Sequence, residues 1–150
     1  MTTVPTIDYE RIKGVKNVPL EELYTSGHRT CQGCESATTM RGFIKSAGAR
    51  TVVTGATGCM YVANTSYMTT PWIVPWMHTQ LGAGGCCAVG RAAGLRALKP
   101  KGKIKDEKIN VINFSGDLGA GDMGIGGISA ALQSDYDLLI IMYDNESAAN

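Results

Sequence analysis

Three of the five cysteines in this chain have the spacing of metal-binding or redox-active thiols. Cys31 and Cys34 form a C-x-x-C pair within GHRTCQGCESATT, and Cys59 follows in ATGC. Thiolates of this kind hold an iron–sulfur cluster when four of them converge in space. The same three cysteines with His28 would satisfy a tetrahedral zinc site. A thioredoxin-like redox pair would use the C-x-x-C alone, at the start of a helix.

A glycine-rich stretch further along the chain carries a second candidate site. SGDLGAGDMGIGG contains Asp117, and YDNESAAN contains Asn145 about 28 residues later. Carboxylate and amide oxygens are hard ligands that suit Mg2+, which keeps water and phosphate oxygens in the rest of its shell. Gly119, Gly121 and Gly124 would let backbone N–H groups approach a phosphate, beside a helix N-terminus that favours its charge. The pattern predicts a divalent metal bridging a diphosphate, although a glycine-rich loop in some other α/β protein remains an alternative.

The elements that must position these residues alternate between helix and strand. The periodicity of apolar residues predicts helices over 36–47, 82–100 and 124–133, and strands over 51–54, 109–114 and 138–143. The last three elements form a right-handed βαβ unit with parallel, buried strands. Asp117 and Asn145 then lie just beyond the carboxyl ends of two strands, where open α/β sheets bind ligands.

Two further stretches are interpreted more simply. TTPWIVPW, over 69–76, contains too many prolines for a regular element, so we expect a packed loop and a sheet of about three strands. Cys86 and Cys87 lie in the small-residue helix, and we expect them to be buried apolar side chains.

Composition and charge set the class of protein. The chain has 150 residues, of which 44% are hydrophobic and 18% are charged, with a net charge of +1. These values describe one globular domain without a basic footprint for nucleic acid. The sequence shows neither a run of about 18 apolar residues nor a signal peptide, so we expect no membrane span and a cytoplasmic protein with reduced cysteines.

The order of the motifs resembles one known family. GHRTCQGC, ATGC, TTPW, GDLGAGDMGIGG and DNESAAN occur in the order found in the thiamine-diphosphate-binding beta subunit of the 2-oxoacid:ferredoxin oxidoreductases, which include pyruvate:ferredoxin oxidoreductase. The resemblance covers 27–150, after a lead-in over 1–26. It implies the thiamine-diphosphate-binding fold, an α/β fold whose parallel sheet has helices on both faces.

The resemblance also implies which residues bind the cofactors. The implied ligands are Cys31, Cys34 and Cys59 for a [4Fe-4S] cluster, and Asp117, Asn145 and the carbonyl of Ser147 for Mg2+. The cofactor-binding residues are Gly58, Cys59, Gly116, Asp117, Gly119 and Asn145, and Asn150 lies over the reactive part of thiamine diphosphate. The chain departs from the family at Leu118 and Glu35, where glycines are usual.

The implied activity is oxidative decarboxylation of a 2-oxoacid, either pyruvate or a larger acid such as phenylglyoxylate. The product is an acyl-CoA, and electrons pass through the cluster to ferredoxin or another acceptor. The implied partners are an alpha subunit that supplies the activating glutamate and a ferredoxin-like subunit. We expect the fourth cluster ligand beyond Asn150, so these residues would be the front part of a longer subunit. A non-enzymatic zinc- or nucleotide-binding α/β module is the alternative.

Overall fold

The computed structural model describes residues 13–65 and 69–147, and these ranges contain a parallel four-stranded sheet. Its strands are β1 (Thr51–Ala56), β2 (Trp76–Thr79), β3 (Asn110–Gly116) and β4 (Leu139–Tyr143). The helices are α1 (Glu35–Ala47), α2 (Cys59–Val62), α3 (Gly84–Leu98) and α4 (Ile125–Gln133), and a π-helical turn spans Leu118–Asp122. The strand order is β2-β1-β3-β4, with every neighbouring pair parallel. No helix in these ranges has the length and apolar character needed to cross a membrane.

Helices cover both faces of the sheet, as the sequence predicts. Val53 of β1 pairs with Ile112 of β3, and both lie in a core that includes Ile44 of α1. The preceding residue of β3, Val111, points to the opposite face, where it packs with Ala88 of α3. This alternation follows from the two-residue period of a strand, and it confirms the α/β class.

The expectation of about three strands is wrong, because β2 was not predicted. Its residues continue directly from the proline-rich stretch, and Trp76 pairs with Val53 of β1. Pro75 precedes the strand and accepts a hydrogen bond from the Val53 N–H at 2.8 Å. Proline is tolerated at the start of an edge strand, where its missing N–H breaks no ladder bond. The expected loop is therefore correct only up to Pro75.

The expectation that β4 is a buried strand is also wrong. Leu139 and Met142 have exposed fractions of 47% and 49%. Within the described ranges β4 pairs with β3 alone, so it lies at an edge of the sheet. An apolar run of this kind is typical of a buried strand. Burial also requires another element that covers the strand.

Small residues let α3 lie very close to its neighbours. A Cβ added at Gly85 would lie 2.6 Å from the carbonyl carbon of Gly127 in α4. Ala88, one turn later on the same side of α3, is fully buried. Cys86 is exposed, although its sulfur lies near Gly127 of α4, and Cys87 is half-buried. The expectation of two buried cysteines is thus wrong, because the helical period assigns the buried face to glycine and alanine.

Candidate functional site

The predicted cofactor residues meet at the carboxyl edge of the sheet. The loops that follow β1, β3 and β4 line a cavity of about 90 Å3 there. Its walls contain seven of the predicted residues, namely Gly58, Cys59, Gly116, Asp117, Gly119, Asn145 and Ser147. They come together because parallel strands deliver their carboxyl ends to one edge. Asn150, the predicted catalytic residue, lies outside the described residues.

The two predicted Mg2+ side chains stand at the ends of neighbouring strands. Asp117 directly follows β3 and is half-buried, while Asn145 is the second residue after β4. The loop that carries Asn145 is shaped by a hydrogen bond from the Glu146 N–H to Oδ1 of Asp144, at 3.0 Å. Glu146 adopts a φ of 52°, an uncommon conformation for a residue other than glycine. One carboxylate and one amide oxygen at adjoining loops fit the donor chemistry of Mg2+.

The glycines of the loop after β3 have different surroundings. A Cβ at Gly124 would overlap the carbonyl oxygen of Gly119, and a Cβ at Gly119 would lie 3.0 Å from the carbonyl oxygen of Leu81. These two glycines are thus explained by packing of the chain on itself. Gly121 is different, since its nearest neighbour would be the sulfur of Met142 at 3.7 Å. Of these three, Gly121 keeps the most open approach to its backbone.

Tyr143, the last residue of β4, is a site residue that the sequence reasoning missed. It pairs across the sheet with Gly116, and a Cβ at Gly116 would lie 3.3 Å from the tyrosine ring. A Cβ at Gly58 would lie 2.6 Å from the phenol oxygen. The two glycines therefore make room for this ring. An aromatic residue at a strand end, opposite a glycine on the neighbouring strand, is a signal that could have identified it.

Burial is the main reason that the pKa of the Tyr143 phenol is raised. A hydrogen bond from the backbone N–H of Met60, at 3.4 Å, opposes the shift. Negative charge on Cys59, Asp117 and Cys34 raises the pKa further. The phenol thus lies between the loop of Asp117 and two of the predicted cluster ligands.

His78 of β2 contacts the loop after β1, on the side away from Tyr143. The Thr57 hydroxyl lies 2.6 Å from Nε2 of His78 and 3.0 Å from the carbonyl oxygen of Thr79. The ring of Tyr61 stacks on the imidazole. Burial lowers the pKa of His78. The imidazole of His78 and the Thr57 hydroxyl hold the start of the Gly58–Cys59 turn.

The C-x-x-C pair forms a tight turn at the start of α1. The Cys34 N–H donates to the Cys31 carbonyl at 3.1 Å, and Gly33 has a φ of 74°, which favours glycine. Cys34 is the N-cap residue of α1, so the prediction of a helix start is confirmed. A hydrogen bond of 2.8 Å from the Arg29 N–H to the Ala63 carbonyl ties this segment to the end of α2, the helix that begins at Cys59.

The three cysteines do not form a closed metal site in the part of the chain that the structure describes. Among residues 13–65 and 69–147, no three side chains of His, Cys, Asp or Glu form a group that could hold a metal ion. Cys31 is exposed. Together with Cys34 it lines a concave region that has a volume of about 1030 Å3. His28, the alternative zinc ligand, stacks on Tyr24 and bonds the Thr30 hydroxyl through Nδ1 at 2.7 Å. This geometry gathers neither the cluster set nor the zinc set around one point.

A larger groove lies at the opposite end of the sheet. It has a volume of about 850 Å3 and is lined by residues that include Phe43, Arg50, Ile109 and Leu139. Its lining is mostly apolar and includes none of the predicted site residues. The chemistry therefore points to the smaller cavity at the carboxyl edge, despite its size.

Comparison with known proteins identifies a family and several relatives. Residues 56–150 match the family described as thiamine pyrophosphate enzyme, C-terminal TPP binding domain. A pyruvate synthase subunit PorB of Methanocaldococcus jannaschii is 45% identical over 137 residues, which are 91% of this chain and 46% of that protein. A ketoisovalerate oxidoreductase subunit VorB of Pyrococcus horikoshii is 32% identical over 141 residues, which are 94% of this chain and 45% of that protein.

A second PorB, from Methanothermobacter thermautotrophicus, is 37% identical over 133 residues, or 89% of this chain and 44% of that protein. The chain thus spans about half the length of the curated relatives that it matches. The family match covers more than half of the chain and includes the loops after β1, β3 and β4. The chain is similar to PorB and VorB subunits, and it belongs to the thiamine pyrophosphate enzymes through their C-terminal TPP-binding domain.

Proposed function

We propose that this chain is the thiamine-diphosphate-binding part of an enzyme that oxidatively decarboxylates a 2-oxoacid. The 2-oxoacid anion and coenzyme A would give an acyl-CoA, CO2 and one proton, and two electrons would leave for an acceptor such as ferredoxin. The observation that carries this proposal is the meeting of Asp117 and Asn145 in one cavity, within the range that matches the TPP-binding domain. The names of the relatives favour pyruvate or a branched 2-oxoacid, while a larger aryl 2-oxoacid such as phenylglyoxylate is kept as a candidate.

The residues at the carboxyl edge would hold the cofactor through its charged end. Asp117, Asn145 and the carbonyl of Ser147 would bind Mg2+, and the backbone beside Gly58, Cys59, Gly116 and Gly119 would face the diphosphate. Bound thiamine diphosphate supplies the electron sink for loss of CO2. Among the described residues, this chain contributes binding and orientation, since Asp117 and Asn145 fix one end of the cofactor relative to the sheet.

Cys31, Cys34 and Cys59 are proposed as ligands of a [4Fe-4S] cluster. Support comes from the order of the motifs and from the hydrogen bond between Arg29 and Ala63, which keeps the two cysteine segments adjacent. Four thiolates are needed, so a further ligand would complete the set. The described geometry does not gather these thiols around one point.

Asn150 and the partner subunits lie outside the described structure. Asn150 is proposed to lie over the reactive part of thiamine diphosphate. The relatives are named as subunits, which supports assembly of this chain with other subunits. The proposed partners are an alpha subunit that supplies the activating glutamate and a ferredoxin-like subunit. We place the assembled enzyme in the cytoplasm.

Replacement of Asp117 tests the proposed function directly. In the assembled protein, Asp117→Asn removes the negative charge from the Mg2+ site while keeping a similar shape. We expect the affinity for thiamine diphosphate with Mg2+ to fall by at least about tenfold, or about 1.4 kcal/mol. Oxidation of 2-oxoacids with coenzyme A and an electron acceptor should fall with it. Binding is measured by titration calorimetry and activity by acceptor reduction.

Asp122→Asn is the matched control. Asp122 is exposed at the end of the same π-helical turn, so its replacement changes the same charge within the same glycine-rich segment. We expect cofactor affinity close to that of the unmodified protein. If Asp117→Asn binds the cofactor as well as Asp122→Asn does, the assignment of the cavity is wrong.

A further inference from the structure

We propose that Tyr143 binds the cofactor directly, by donating its phenol proton to a phosphoryl oxygen of the diphosphate. This inference rests on the proposed function and adds a binding residue to the same site. The juxtaposition that supports it is the phenol of Tyr143 in a cavity with Asp117 and Asn145.

The position of the phenol favours this role. Tyr143 lines the cavity beside the loops after β1 and β3, and its oxygen lies directly over Gly58. The neighbouring strand places Gly116 beneath the ring. With glycine on both sides, the ring is held by backbone packing and its hydroxyl is fixed at the rim where Asp117 begins its loop. Such a group is oriented before any ligand arrives, which lowers the entropic cost of binding.

The hydroxyl also has a proton available for a ligand. It accepts a hydrogen bond from the Met60 N–H at 3.4 Å. Within residues 13–65 and 69–147, no acceptor takes its proton in a hydrogen bond. A tyrosine hydroxyl can both donate and accept, so accepting from Met60 leaves the donor function for the cavity.

The charge of the cavity explains why a neutral donor is needed there. The described residues that line it include the carboxylate of Asp117 but no Lys, Arg or His. A diphosphate brings several negative charges, and Mg2+ offsets only part of them. The remaining phosphoryl oxygens must accept from N–H and O–H groups, since an unsatisfied charged acceptor is costly. Three side chains of that lining carry O–H groups, namely those of Thr57, Tyr143 and Ser147. Thr57 already bonds the Thr79 carbonyl, and Ser147 is proposed to bind Mg2+ through its carbonyl oxygen.

Tyr143→Phe tests the proposal because it removes the hydroxyl and keeps the ring over both glycines. In the assembled protein we expect the dissociation constant of thiamine diphosphate with Mg2+ to rise about tenfold, the range for one hydrogen bond to a charged group. Inorganic diphosphate with Mg2+, used as a competitor, should weaken by a similar factor. Thiamine without phosphate should bind the variant and the unmodified protein equally.

Tyr136→Phe is the matched control, since it removes a phenol hydroxyl from the segment that precedes β4, outside the lining of the cavity. We expect this variant to bind all three probes as the unmodified protein does. A second measurement uses the unmodified protein. Binding of inorganic diphosphate should perturb the ultraviolet spectrum of tyrosine, and the Tyr143→Phe protein should lack this change.

The outcomes separate the two proposals. If the unmodified protein binds neither thiamine diphosphate nor inorganic diphosphate, the proposed function itself fails. If it binds both and Tyr143→Phe binds them equally well, the cofactor site stands and Tyr143 is only a packing residue. If Tyr143→Phe weakens thiamine as much as the phosphorylated probes, the hydroxyl acts on the shape of the pocket and not on the diphosphate, which also overturns the inference.

Discussion

Two side chains from opposite edges of the sheet hold the Thr57–Cys59 turn. His78 of β2 bonds the Thr57 hydroxyl, and Tyr143 of β4 accepts from the N–H of Met60, the residue that follows Cys59. This turn contains a proposed diphosphate-facing glycine and a proposed cluster ligand. A substitution at His78 or Tyr143 should therefore affect both proposed sites, because the residues that they contact lie one or two positions from Gly58 and Cys59.

The lowered pKa of His78 gives a pH dependence that can be measured. In the unfolded chain a histidine titrates near pH 6.5, roughly. Because burial lowers the folded pKa of His78, the unfolded state binds more protons as pH falls from about 6.5, and the free energy of unfolding decreases there. We expect the melting temperature of the assembled protein to fall between about pH 7 and pH 5, and His78→Gln to flatten this fall.

Tyr61→Phe provides the comparison for His78→Gln. It keeps an aromatic ring on the imidazole and should keep the pH dependence of the melting temperature. Other groups contribute at more acidic pH, where the Glu22 carboxylate, held near a pKa of about 2 by Arg41 and Lys45, is protonated. A full pH dependence in the His78→Gln protein between pH 7 and 5 would show that another group is responsible.

At the scale of elements, the contact of α3 with α4 depends on the absence of side chains. Gly85 and Gly127 allow the two helix backbones to touch, and Gly84 leaves space for the buried side chains of Ser115 and Asn113 on β3. α4 follows the loop of Asp117, so its position against α3 helps to set where that loop begins. Small residues in α3 thus help to position the Asp117 loop through helix packing, without lining the proposed cofactor cavity.

Two alanine replacements within α3 separate packing from helix propensity. Gly85→Ala puts a Cβ 2.6 Å from the Gly127 backbone, and overpacking of this kind costs about 1–3 kcal/mol. Gly90→Ala has open space around its Cβ and should stabilise the helix by about 0.5–1 kcal/mol. We expect the melting temperature of the assembled protein to fall for the first and to rise slightly for the second. Equal effects of the two replacements would mean that the two helices do not touch there.

At the scale of the whole molecule, the charge is nearly balanced and the candidate chemistry is confined to one edge. The net charge of +1 gives no general attraction for an anionic cofactor, so affinity must come from the local donors and from Mg2+. Two apolar side chains of β4, Leu139 and Met142, are about half-exposed. The curated relatives are about twice as long as this chain, and assembly is part of the proposed function.

The composition of the assembled protein tests the proposal at this scale. Prepared without oxygen, it should contain about four iron and four sulfide for each copy of this chain at the proposed cluster, together with one thiamine. Replacement of Cys59 by alanine should lower the iron content and leave Asp117-dependent binding of Mg2+ measurable. Zinc in place of iron and thiamine would contradict the oxidoreductase proposal and favour a zinc-binding α/β module.

The sequence alone determined the class of the fold and most of the cavity lining. The strand over 109–114 and the helix over 124–133 were predicted to within a few residues, because their apolar periodicity is a local property. The meeting of Asp117 and Asn145 was predicted for a general reason, since parallel strands end at one edge. The order of the motifs indicates the family without any knowledge of the tertiary structure.

Only the tertiary structure decided which neighbours each residue has. The sequence does not predict β2, because its four residues form a strand through pairing with β1, and this pairing leaves no local sequence pattern. Tyr143 became a site residue through its register with Gly116 and its approach to Gly58, contacts between segments about 27 and 85 residues apart. The exposure of Cys86 likewise depends on which face of α3 meets the sheet. Long-range packing selects these contacts, and a sequence pattern records only the residues that make them possible.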